Sequence, residues 1–209
     1  MNEGARQVVL LRPGDARRLP WKNGRGETLE LAIWPRGASL AADDFHWRIS
    51  RAGVVEDGPF SSFADCERAL VVVAGDGLAL DHGDAAPAVQ MLPFAPHRFA
   101  GEWPTTARLL GGPVADFGVI WRRGVVDAAV TVTPFAGERT LRGSDGHTFV
   151  HLLAGRLETA FGVLGRGDSL WLQGAGAAAG EGLRALGATD TLAVVVALRA
   201  VRGQCTSRE

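Results

Sequence analysis

The strongest constraint on the fold is the rhythm of short β-branched and aromatic runs cut by Gly, Pro and Asp. Runs of this kind fall at 8–12, 28–34, 45–51, 69–74, 77–81, 89–92, 108–110, 117–122, 128–133, 148–154, 156–160, 169–173, 183–186 and 191–198. No long segment pairs a 3.6-residue apolar period with helix caps. Many short strands at roughly 8–12-residue spacing specify an all-β sandwich or barrel. The 28 glycines fit the many tight turns such a chain needs. The Ala-rich stretch 174–180 is broken by three glycines and reads as a loop.

One pattern occurs twice. Val71-Val72-Val73-Ala74-Gly75-Asp76-Gly77-Leu78 is echoed by Val150-His151-Leu152-Leu153-Ala154-Gly155-Arg156-Leu157. Each is an apolar strand, an Ala-Gly turn and a second strand. The second copy runs on into Gly167-Asp168-Ser169-Leu170-Trp171-Leu172, a Gly-Asp turn feeding another strand. This resembles the two halves of a cupin barrel. Two unrelated hairpins would give the same local pattern.

Composition removes several function classes. The formal net charge of -1 gives no global pull toward nucleic acid or anionic lipid. No apolar stretch approaches the roughly 20 residues of a membrane helix, and the start lacks the apolar core of a secretory signal. The two cysteines, Cys66 and Cys205, are too few for a disulfide framework, so a cytoplasmic protein is expected. The five histidines include no His-x-His. His147 and His151 on a strand stand roughly 13 Å apart, too far for one ion. His82, in Asp81-His82-Gly83-Asp84, reads as a solvated turn. Neither metal nor cofactor is expected, and no Gly-x-Ser-x-Gly elbow is present.

The basic residues are 21 Arg and one Lys, Lys22, which stands beside the one internal asparagine, Asn23. A merely solvated cation in this chain would be Arg. The segment Pro20-Trp21-Lys22-Asn23-Gly24-Arg25-Gly26 therefore points to a ligand contact, with an ammonium for a carboxylate and an amide for a formyl or imino group. On a strand, His46, Arg48 and Ser50 share one face, opposite Phe45, Trp47 and Ile49. An Arg turned into a barrel needs an anion or an acidic partner. The turn Asp57-Gly58-Pro59-Phe60-Ser61 brings an aromatic ring near, and Asp116 is placed to pair with Lys22 or an Arg. The Arg122-Arg123 pair reads as a strand-end charge patch.

In this order, Pro20-Trp21-Lys22-Asn23-Gly24, Trp47-Arg48-Ile49-Ser50, Asp57-Gly58-Pro59-Phe60-Ser61, Phe99-Ala100-Gly101-Glu102 and Asp116-Phe117 with Arg122-Arg123-Gly124 resemble the HutD/Ves family. The resemblance implies a bicupin, with an N-terminal half at 1–124, a C-terminal half at 125–209 and strands exchanged between them. It also implies association with histidine utilisation, by binding a pathway intermediate rather than by an established catalytic step. The family's Lys-Asn and Trp-Arg positions map onto Lys22, Asn23, Trp47 and Arg48. Gly118 and Ile120 depart from the Asn and Met common in the family. The expected ligand site is Lys22, Asn23, Trp47, Arg48, Ser50, Phe60 and Asp116, for urocanate, formiminoglutamate or formylglutamate. The alternative is a metal-independent enzyme, an isomerase or hydrolase, using Lys22 as acid/base. A small carboxylate is the expected partner, without nucleic acid or membrane. A homodimer is suggested only by analogy with paired cupin edges.

Overall fold

A computed structural model describes residues 7–21, 26–141, 146–173 and 183–201. Its first eleven strands are β1 (Gln7–Leu11), β2 (Arg17–Pro20), β3 (Glu27–Trp34), β4 (Trp47–Val54), β5 (Gly58–Pro59), β6 (Cys66–Ala74), β7 (Leu78–Asp81), β8 (Val89–Met91), β9 (His97–Ala100), β10 (Thr106–Leu109) and β11 (Val114–Arg122). A tight turn then leads to β12 (Val126–Pro134), β13 (Gly137–Leu141), β14 (His147–Ala154), β15 (Leu157–Thr159), β16 (Gly162–Leu164), β17 (Ser169–Gln173), β18 (Leu183–Gly187) and β19 (Leu192–Ala200). The described residues include no α-helix, and none of their helices is long and apolar enough to cross a membrane. The expected loop at 174–180 lies outside the described residues.

The strands form four sheets. In the first half, a large sheet ordered β2-β3-β4-β11-β6-β9 faces a small sheet ordered β5-β10-β7-β8. In the second, a large sheet ordered β1-β17-β14-β19-β12 faces a small sheet ordered β13-β18-β15-β16. Strands β4 to β11 and β12 to β19 therefore recur in the same spatial order, which turns the sequence echo into a structural repeat. β1 crosses to the far half and pairs with β17 along its whole length, Gln7 opposite Gln173 and Leu11 opposite Ser169.

Three apolar layers hold the stack. Leu70, Val72, Leu78, Leu80, Met91 and Phe99 pack between the sheets of the first half. Val150, Leu152, Leu157, Leu164 and Leu170 do so in the second. Between the halves lie Trp47, Ile49, Val71, Phe117, Trp121, Phe149, Trp171 and Val196. The large sheets are thus covered on both faces, which is why Leu70–Val73 and Ala193–Val196 read as unbroken apolar runs rather than alternating ones.

His147 and His151 sit in this middle layer and are not surface residues. His147 lies 4.6 Å from the Trp34 ring and 5.2 Å from that of Trp47. His151 is buried, stacks on Phe117 and contacts Ser169 Oγ through Nδ1 at 2.8 Å. Desolvation drives its imidazole down to about 3, so it stays neutral.

The Ala-Gly turns of the repeat are glycine for the same reason. Gly75 and Gly155 have φ of +90° and +72°, and a Cβ would stand 2.6 Å from Pro113 O in one and 2.6 Å from Thr191 Cα in the other. Gly118 has neither constraint: its Cβ would meet Ser50 Oγ at 3.7 Å and Leu70 Cδ1 at 3.8 Å. Gly75→Ala and Gly155→Ala should each cost at least about 1–3 kcal/mol in urea unfolding. Gly118→Ala should be neutral or stabilising by up to about 1 kcal/mol.

Candidate functional site

The chemistry collects on the inner face of the first half's large sheet. Strand alternation turns Trp47 and Ile49 toward the second half and Arg48 and Ser50 inward, and all four are buried. Cross-strand register then lays out three inner rows. Thr28, Ala52, Asp116 and Val72 form one. Glu30, Ser50, Gly118, Leu70 and His97 form the next. Ile33, Arg48, Ile120, Arg68 and Phe99 form the third. At the centre, Gly118 keeps partial exposure while Phe117 and Val119 beside it have none. Solvent therefore reaches the sheet at the residue without a side chain, and this open part of the face, beside the apolar cluster of Leu70, Val72 and Phe99, is the cup.

Two guanidiniums define its charge. Arg48 Nε donates to Glu30 Oε2 at 2.8 Å, with both side chains buried. Arg17 approaches the same carboxylate from outside at 3.8 Å. Arg68 has aromatic neighbours instead: its Cζ lies 5.3 Å from the Phe60 ring, 5.4 Å from Phe63 and 5.0 Å from Phe99. Its Nη1 donates to Ser61 O at 3.0 Å. Desolvation lowers its pKa to about 10, so it remains a cation at neutral pH. Asp116 is buried, and desolvation raises its carboxyl to about 7 against the pull of Arg68, an Ala52 backbone hydrogen bond and Arg51. Near the Phe99 end, His82 contacts Thr105 and His97.

The expected residues divide three ways. Arg48, Ser50 and Asp116 converge on the cup floor, and Phe60 reaches it through Arg68. Trp47 does not: it is on the opposite face, 5.3 Å from Trp171 of the second half. Lys22 and Asn23 lie outside the described residues. The residues flanking that stretch are joined by Trp21 N donating to Gly26 O at 2.9 Å. Trp21 Nε1 donates to Thr28 Oγ1, also at 2.9 Å, in the row that carries Asp116. Arg122 and Arg123 are occupied by Asp43 and Glu102 and brace loops.

Glu30, Arg68 and His97 are not among the expected site residues. Extending the alternation of Leu70 and Val72 back by one step puts Arg68 on the inner face, which is the signal that the apolar run 69–73 masks. His82 corrects the turn reading: it is fully buried, with both ring nitrogens engaged. Among the described residues, no three His, Cys, Asp or Glu groups are placed to hold a metal ion.

The second half shows the same face without the charges. In equivalent registers, Arg68, Leu70 and Val72 become Thr148, Val150 and Leu152, and Asp116, Gly118 and Ile120 become Ala193, Val195 and Ala197. Arg48 and Ser50 become Ala129 and Thr131, and His97 becomes Leu170.

A family profile described as HutD matches residues 14–192. The chain belongs to the HutD family. A Pseudomonas putida protein described as an uncharacterised 21.2 kDa protein in the hutC 3' region is 42% identical over 115 residues. That stretch is 55% of this chain and 58% of the relative, so the match spans little more than half of it. Among solved structures, a conserved protein of unknown function from Pseudomonas aeruginosa PAO1 aligns with a TM-score of 0.79 at 28% identity, covering 92% of this chain and 98% of that one. HutD from Pseudomonas fluorescens SBW25, solved in a formate condition, aligns at 0.77 and 28%, covering 94% and 100%.

Two stability predictions come from the buried charges. Glu30→Gln leaves Arg48 buried with a neutral partner and should cost about 3–5 kcal/mol in urea unfolding, with much of the loss recovered in a Glu30→Met/Arg48→Met double variant. Asp116 titrates near 7 when folded and from 3.8 ordinarily. Its contribution to stability is therefore complete below about pH 4, declines as pH rises toward 7, and is lost above. Asp116→Asn should be more stable than the parent at pH 8, with the difference shrinking on acidification when unfolding is followed by urea titration across that range.

Proposed function

We propose that the cup of the first half binds a small carboxylated metabolite of histidine utilisation, and that the protein acts through binding rather than through turnover. The observation that carries this reading is the unequal pairing of the two guanidiniums. Arg48 has Glu30, whereas among the described residues Arg68 has no carboxylate within ion-pair distance, only aromatic rings and one carbonyl. Below pH 7 Asp116 is protonated, so Arg48, Glu30 and Arg68 leave the cup with one uncompensated positive charge. A desolvated guanidinium of this kind favours a carboxylate through charge-assisted hydrogen bonds.

Family membership supports the metabolic setting, together with a relative named for its position beside hutC. Urocanate, formiminoglutamate and formylglutamate fit the charge, and formate is the minimal probe. Lys22 and Asn23, between Trp21 and Gly26, enter this reading as further ligand contacts expected from the sequence.

Isothermal titration of the full chain with these acids tests it. Arg68→Met should weaken binding roughly 10- to 100-fold. Affinity should fall between pH 6 and pH 8 as Asp116 ionises, and Asp116→Asn should remove that dependence. No heat with any of the acids in a folded sample defeats the reading.

A further inference from the structure

A second pair of cations meets outside the cup, at the seam between the halves. Arg51 follows Trp47 and Ile49 on the outer face of β4 and is in register with Phe117. His151, from β14 of the second half, stacks on the Phe117 ring at 5.4 Å and 29°. Arg166 comes from the turn between β16 and β17, and Ser169 at the end of that turn contacts His151 Nδ1. Desolvation and the charge of Arg166 lower the Arg51 pKa, and desolvation and the charge of Arg51 lower that of His151, so the three groups share one field.

The positive charge at this seam is uncompensated. Arg51 Nε is buried without a hydrogen-bond partner, and so is His151 Nε2. Among the described residues, neither Arg51 nor Arg166 has a carboxylate within ion-pair distance. Asp168, two residues after Arg166, is taken by Arg12 at 2.5 Å and by the Gly165 amide at 2.8 Å. Asp116 offsets part of the lowering at Arg51, but it is on the opposite face of the sheet. A guanidinium is a donor at every accessible pH. Packing does not require these polar groups: the registers equivalent to Arg51, Phe117 and His151 hold Val132, Val194 and Val71, all packed in the middle layer. Exposure rises outward from buried His151 through half-buried Arg51 to exposed Arg166, so the cluster opens to solvent at one end.

We propose that Arg51 and Arg166 form a separate anion site at the seam, for a dianion of the hydrogen phosphate type, free or as the phosphate group of a small metabolite. Two guanidiniums match two negative charges and can bind phosphate oxygens through paired N–H donors. Hydrogen phosphate has both a hydroxyl and bare oxygens, so it satisfies His151 Nε2 in either tautomer. The inference goes beyond the carboxylate reading of the cup and does not depend on it.

Titration calorimetry of the full chain with inorganic phosphate, at constant ionic strength and near neutral pH, tests it. The parent should show one saturable site. Arg166→Met, at an exposed position, should weaken binding roughly 10- to 100-fold, as expected for lost hydrogen bonds to a charged group. Arg51→Met should do the same, and Arg166→Met alone decides the matter if Arg51→Met fails to fold. Arg68→Met, in the cup, should leave phosphate affinity unchanged. The ring nitrogen signals of His151 in long-range proton–nitrogen NMR should move as phosphate is added to the parent and stay in place in Arg166→Met. Glycerol 3-phosphate run beside inorganic phosphate separates the two sources, the tighter ligand identifying an ester or the free ion. No saturable binding of either phosphate by the parent, or binding that Arg166→Met leaves intact, overturns the seam site. Binding lost in Arg68→Met and kept in Arg166→Met puts the phosphate in the cup and overturns it too, while the carboxylate reading stands or falls on its own titrations.

Discussion

Everything in this molecule depends on the packing of one large sheet against the other. Phe117, Phe149, Trp47, Trp171 and the strands around them bury faces that would be wet in an isolated half. The central strands of each large sheet then have no face turned to bulk solvent and do not alternate apolar with polar in the ordinary way. Polar residues on these strands need partners or an open cup: His151 in the middle layer contacts Ser169, and Arg48 on the inner face has Glu30. The first half supplies Glu30, Arg48, Ser50, Arg68 and Asp116 around Gly118.

The repeat makes the asymmetry of the two halves informative. Equivalent registers hold Arg68 against Thr148, Asp116 against Ala193 and Gly118 against Val195, while the strand order is the same. The fold is therefore satisfied by small or apolar residues at all three positions. Buried charges are costly to keep where packing does not require them, so Arg68 and Asp116 are where the first half departs from what the shared strand order needs. The large sheet of the second half covers the outer face of the first.

Much of this was legible in the alternation of single strands. Arg48 and Ser50 could be placed opposite Ile49 from a period of two, and the Gly75 and Gly155 turns announced the repeat. Trp47 shows the limit of reading by motif: adjacency to Arg48 suggested a shared site, yet adjacent residues on a strand face opposite ways. Arg68 was hidden because a doubly buried strand has no visible alternation. His82 was hidden because its partners, Thr105 and His97, are brought to it by register rather than by sequence, and Asp81-His82-Gly83-Asp84 looks like any solvated turn. β2, β5, β9, β13 and β16 were missed as strands for a related reason: they are short, and pairing rather than propensity makes them strands.

The cup's remaining balance turns on a single proton. Arg48 and Glu30 cancel, Arg68 is a cation, and Asp116 is neutral or charged depending on which side of about pH 7 the solution lies. An anion placed beside Arg68 competes with the Asp116 carboxylate for the same positive field. Binding an anion therefore raises the Asp116 pKa further, and protonating Asp116 strengthens anion binding by the same factor, because coupling between two equilibria is reciprocal. A carboxylate entering the cup near neutral pH would then bring a proton with it. The buried acid is costly to the fold, and under the proposed anion-binding role it would let the cup hold a negative ligand without a second negative charge beside it.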